Sequence, residues 1–116
     1  MNYNIIPNER FRKEAKRLIK KYPTLKDELI ELNSLLTKTP DLGTSLGNNT
    51  YKVRLAIKSK GKGKSGGARV ITYLLTEEKE IYLLTIFDKS EFDSIDDKSL
   101  KNIIQSLVQS PKNKNL

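Results

Sequence analysis

The sequence predicts an α+β two-layer domain: a small, mainly antiparallel sheet of about four strands, two helices packed on one face, and a C-terminal helix. Two helical apolar stripes come first, at Phe11–Ile19 and Leu25–Leu36, split by Tyr22-Pro23. Three β-rich runs joined by short polar or glycine-rich turns follow, at Tyr51–Lys58, Arg69–Leu75 and Ile81–Phe87. Leu100, Ile103, Ile104, Leu107 and Val108 then return to helical spacing.

Each element has a local cause. Tyr3–Ile6 leans apolar and is closed by Pro7, which suits a short opening strand. Asn8 is placed to cap the first helix, with Glu9 in its first turn, and Phe11, Ala15, Leu18 and Ile19 share one face. Thr24 with Asp27 resembles a capping box opening the second helix. There Leu25, Leu29, Leu32 and Leu36 form the stripe, and Ile30 and Leu35 are expected to widen it. Residues 39–50, rich in Gly, Pro, Asn and Thr, read as a loop. In the next run Tyr51, Val53, Leu55 and Ile57 face one way, and Lys52, Arg54, Ala56 and Lys58 the other. Residues 59–67 read as a hairpin connection, and Glu77–Glu80 as a polar turn. Ile81–Phe87 is apolar enough for a central strand. Ser94 is the expected cap of the last helix. Residues 1–110 form one domain, and 111–116 are expected to be a disordered tail. The helices take one sheet face, which leaves the other free to carry charge.

Lys and Arg number 22 against 14 Asp and Glu, a net charge of +8, which favours a polyanionic partner. The chain has no Cys and no His. That removes disulfides and thiol chemistry and comes close to excluding a zinc site; no metal site and no cofactor is read from the sequence. Acid–base work falls to Lys, Arg, Tyr or carboxylates. No apolar run is long enough for a signal peptide or membrane span, so a cytoplasmic location without membrane contact is expected.

Charge concentrates around residues 52–69. Lys58, Lys60, Lys62 and Lys64 alternate with Ser59, Gly61 and Gly63. In an extended chain these four ammonium groups, with Lys52 and Arg54, form one basic stripe suited to a phosphate backbone. Gly63-Lys64-Ser65 is not a phosphate loop. Lys58 stands where that motif needs glycine, and the segment joins two strands. Arg69, opening the next strand, is placed to stabilise charge developing on a phosphate, or else to pair with Asp88 or Glu91. Crowded ammonium groups lower one another's pKa, which makes Lys60, Lys62 or Lys64 a candidate base, with Glu91 the alternative. Lys89 is a second cation for the transition state or the leaving oxygen. Phe92 is a candidate for base stacking, whereas Tyr73 and Tyr82 are expected to pack in the sheet.

The run Gly61-Lys62-Gly63-Lys64-Ser65-Gly66-Gly67-Ala68-Arg69-Val70-Ile71, followed by Ile81–Glu91, resembles the HigB-type branch of the RelE/ParE toxin superfamily. The likeness spans roughly residues 50–95, and the order of elements extends it over most of the chain. It implies a toxin neutralised by a cognate antitoxin, of acidic or helix-turn-helix type. It also implies a ribonuclease that enters the ribosomal A site and cuts the bound mRNA. The ribose 2′-hydroxyl would attack the adjacent phosphate without a metal, leaving a 2′,3′-cyclic phosphate. The arginine after the Gly turn corresponds to Arg69, the preceding lysines to Lys60 and Lys62, and the basic position after the last strand to Lys89. Two departures bear on the site: some relatives place His in it, and several keep a Tyr where this chain has none after Tyr82. Two other functions fit the same residues, a ParE-like inhibitor of DNA gyrase and a non-catalytic RNA-binding module.

Overall fold

The computed structural model describes residues 3–61, 66–91 and 96–108. The expected cap Ser94, the candidates Lys62, Lys64 and Phe92, and the tail after Pro111 lie outside them.

The chain runs β1 (Asn4–Pro7), α1 (Glu9–Lys21), α2 (Leu25–Lys38), β2 (Thr44–Gly47), β3 (Thr50–Leu55), a 3-10 turn (Lys58–Lys60), β4 (Ala68–Leu75), β5 (Glu80–Asp88) and α3 (Asp97–Val108). Among the described residues the sheet has five strands in the order β1-β5-β4-β3-β2. Only β1 is parallel to its neighbour, β5. Its Pro7, which has no N–H to give, sits on this edge strand.

The extra strand is β2, inside the segment read as loop. Its hairpin with β3 turns at Asn48 and Asn49, whose φ values are 53° and 61°. Asparagine accepts this left-handed conformation, and two such residues in succession make the tight turn that matches strand twist. Asn48-Asn49 was the available signal.

Asn8 caps α1 as expected, its side chain accepting from the Phe11 N–H at 2.8 Å. The box expected at Thr24 does not form. The Thr24 hydroxyl instead accepts from the Ser59 N–H at 3.0 Å and lies 2.9 Å from Ser59 Oγ, tying the start of α2 to the 3-10 turn. Leu25, Leu32 and Leu36 are buried, but Ile30 and Leu35 are 57% and 50% exposed and do not widen the stripe. At α3 the cap is Asp96, whose carboxylate accepts from the Ser99 N–H at 2.6 Å.

Both sheet faces carry a core. Phe11, Ala15, Leu18, Leu25, Leu32 and Leu36 of α1 and α2 pack with Val53, Ala68, Val70, Leu83 and Ile86 on one face. On the other, Leu100 and Ile103 of α3 pack with Ile71, Tyr82, Leu84 and Phe87. The second face is therefore partly covered, not free as expected, because α3 carries an apolar stripe that must also leave water. Tyr73 and Tyr82 are packed sheet aromatics, ring centroids 6.4 Å apart.

Candidate functional site

The candidates separate according to sheet face. Register places Arg54 opposite Arg69, and Arg69 opposite Phe87. Since Phe87 belongs to the α3 cluster, Arg54 and Arg69 share the α3 face, with Lys52 two residues before Arg54. Lys89 lies in the turn just past the end of β5, and its N–H donates to the Gly67 carbonyl at 3.0 Å. Asp88 stands opposite Ala68 and faces α1 and α2.

Arg69 is only 4% exposed and donates from Nη1 to the Ala68 carbonyl at 3.1 Å. Burial, and next the nearby Arg54 cation, lower its pKa. A guanidinium so placed interacts strongly with an anion, because little water screens it. The close passage of β3 and β4 at its base depends on Gly67, where a Cβ would fall 2.0 Å from the Leu55 carbonyl oxygen.

The described part of the lysine stripe, Lys58 and Lys60, is not extended. Lys58–Lys60 form the 3-10 turn and Gly61 follows at φ 74°, so the alternation that aligned Lys60 with Lys52 and Arg54 ends here. Lys60 folds back onto Asp88 in an ion pair whose side chains are 9% and 0% exposed. Its ammonium lies 5.5 Å from the Tyr22 ring centroid and 3.4 Å from Ser90 Oγ. Asp88 also accepts from Tyr22 Oη at 2.6 Å, from the Ser90 N–H at 2.9 Å and from Ser90 Oγ at 2.8 Å. Burial alone would raise the Asp88 pKa, but the bonds from Lys60, Tyr22 and Ser90 outweigh it and hold the carboxyl well below the usual range.

Glu91 is likewise engaged on the α1 side. Arg17 grips it with Nη1 at 3.2 Å and Nη2 at 2.7 Å, and Lys21 lies 3.8 Å away. The Arg17 bonds lower its pKa. Lys60 and Glu91 are thus held by partners around α1, while Arg54 and Arg69 stand across the sheet. Lys58 is exposed at the turn, its backbone N–H donating to Glu28 Oε2 at 2.7 Å.

Tyr22, Asp88, Ser90, Arg17 and Glu28 were not singled out from sequence as a connected set. The available signal was strand parity: once Arg69 pairs with Phe87, Asp88 must point the opposite way. Among the described residues no three His, Cys, Asp or Glu stand together as a metal-binding group, and no helix is long and apolar enough to cross a membrane.

Fold and site together define a small basic α+β domain whose arginine-bearing sheet face lies behind a C-terminal helix. The family described as the RelE toxin of the RelE / RelB toxin–antitoxin system matches residues 8–114, and the chain belongs to it. It is similar in fold to an arginine-to-alanine double mutant of E. coli toxin RelE in the free state. That match has a TM-score of 0.59 and 17% identity, covering 80% of this chain and 90% of that one. The toxin–antitoxin complex RelBE2 of Mycobacterium tuberculosis gives 0.58 and 16%, covering 76% and 99%. The E. coli RelE mutant bound to an antitoxin RelBc peptide gives 0.59 and 16%, covering 88% and 94%.

Proposed function

We propose that this toxin is a cytoplasmic, ribosome-dependent endoribonuclease that cuts mRNA in the A site and is neutralised by a cognate antitoxin. Membership of the RelE family supports the toxin class. The observation that carries the chemistry is the Arg54–Arg69 pair on one sheet face, with Lys89 in the turn just past β5, its N–H held by the Gly67 carbonyl. In the reaction, the 2′-hydroxyl oxygen bonds to phosphorus and the bond from phosphorus to the 5′-oxygen breaks. The products are a 2′,3′-cyclic phosphate and a free 5′-hydroxyl. Arg69 stabilises the extra negative charge on the phosphoryl oxygens, and Lys89 supports it or gives a proton to the leaving 5′-oxygen. Lys62 or Lys64 takes the proton of the 2′-hydroxyl. Lys60 and Glu91, held by Asp88 and Arg17, position the exit of β5 rather than transfer protons. Because Arg69 is 4% exposed, a phosphate reaching it must displace part of its cover.

The test is cleavage of a message programmed on purified ribosomes under single-turnover conditions. Wild-type protein is expected to cut in the A-site codon, and Arg69→Ala to bind the ribosome but cut slowly. An Arg69→Ala variant that cuts at the wild-type rate contradicts this role.

A further inference from the structure

Glu28 stands in the apolar stripe of α2, between Leu25 and Leu32, and is only 7% exposed. It makes no ion pair among the described residues. A carboxylate at a core position costs stability unless its oxygens are bonded. Its bonds go to the 3-10 turn. That turn opens with the N–H groups of Lys58 and Ser59, which no bond within the turn can satisfy. Ile57, in the capping place, has no side-chain oxygen to offer. Both groups are capped from the start of α2, 30 and 35 residues away. The Lys58 N–H donates to Glu28 Oε2 at 2.7 Å, and the Ser59 N–H to the Thr24 hydroxyl at 3.0 Å. Thr24 Oγ1 lies 3.3 Å from Glu28 Oε1, so the two caps are coupled.

The third residue of the turn, Lys60, is held through its side chain by Asp88. Tyr22, the C-cap of α1, donates to the same carboxylate at 2.6 Å. Asp88 also accepts from the Ser90 N–H, which shapes the turn carrying Lys89. The Lys89 N–H in turn holds the Gly67 carbonyl, two residues before Arg69. The corner between α1 and α2 therefore grips the connection after β3 and the turn after β5 together.

We propose that Tyr22, Thr24 and Glu28 are positioning residues for the cleavage reaction. They touch no RNA. They fix the points where the Gly/Lys run departs, at Lys60, and returns, at Gly67, and with them the turn that carries Lys89. The assignment rests on the reading of this chain as a ribonuclease. Misplacing a reacting group by about 1 Å costs about a hundredfold in rate. Phosphate binding depends on how many cations are presented, and is far less sensitive to such a shift. Loss of the grip therefore lowers rate and spares affinity.

The test is single-turnover cleavage of a message on purified ribosomes, with ribosome affinity and urea unfolding measured for each variant. Glu28→Leu keeps the apolar stripe and removes both acceptors, and Tyr22→Phe removes one oxygen. Each is expected to cut about tenfold or more slowly once bound, with ribosome affinity within about twofold of wild type. Glu28→Gln keeps an oxygen for the Lys58 N–H and is expected to restore most of the rate. A residue serving stability alone would move the unfolding midpoint and leave the rate of the folded protein unchanged. Should Glu28→Leu not fold, Tyr22→Phe carries the test. The assignment is overturned if either variant, folded, cuts at the wild-type rate, if the loss lies in ribosome affinity, or if Glu28→Gln is as slow as Glu28→Leu. Wild type that cuts beside unaffected variants overturns this assignment alone. Wild type that does not cut overturns the cleavage reading, and this assignment with it.

Discussion

Asp88 has no exposed surface, yet it is a carboxylate, and it survives burial because Lys60, Tyr22 and Ser90 all donate to it. Removing one partner of such a pair leaves the other charge buried alone, so Asp88→Asn is expected to cost about 3–5 kcal/mol at neutral pH in urea unfolding. The pH dependence has a definite sign. A carboxyl whose folded pKa is depressed stabilises the fold above its unfolded pKa, and this is lost as pH falls towards the folded value. The gap between wild type and Asp88→Asn should therefore narrow below about pH 4; a constant gap from pH 7 to pH 2 contradicts the pair. For Arg69→Ala, loss of one preorganised donor predicts about 3–4 kcal/mol of transition-state stabilisation, read as the ratio of cleavage rates. The place of Arg69 near the start of β4 was legible from sequence, because an arginine beside two glycines at a strand start is local information. The fate of Lys60 was not. Its partner is 28 residues away, and only the 3-10 turn brings the two together.

At the scale of elements, the β3–β4 pairing rests on backbone contact at Gly67. Gly67→Ala puts a methyl group 2.0 Å from the Leu55 carbonyl oxygen, so the strands must separate. The expected cost is about 1–3 kcal/mol, measured by thermal or denaturant unfolding. A variant as stable as wild type contradicts the close approach. The helices and the central strands were legible, since their apolar periodicity is local and strong. β2 was not, because a short strand with every residue exposed carries no apolar alternation. The side on which α3 packs was equally hidden. An amphipathic helix shows that it covers something, and the choice between two sheet faces is made only in three dimensions.

For the molecule as a whole, a net charge of +8 and an arginine-bearing face predict RNA binding that weakens steeply with salt. The expected slope of log K against log [salt] is about −0.7 for each phosphate neutralised on a single strand. A flat salt response, measured by filter binding or fluorescence anisotropy, contradicts a phosphate-contacting surface. The family too was legible from the Gly/Lys run and the following strand, because those residues are contiguous. The separation of Lys60 and Glu91 from Arg69 was not, since it depends on how the 3-10 turn and the turn after β5 fold back towards α1.

The most direct test of the central claim is to express the chain from a tight promoter and map new mRNA 5′ ends, with and without the start codon of a reporter message. A ribosome-dependent ribonuclease predicts cuts inside the translated frame that vanish when the start codon is removed. Growth arrest with intact messages, or cuts that persist without translation, would contradict it.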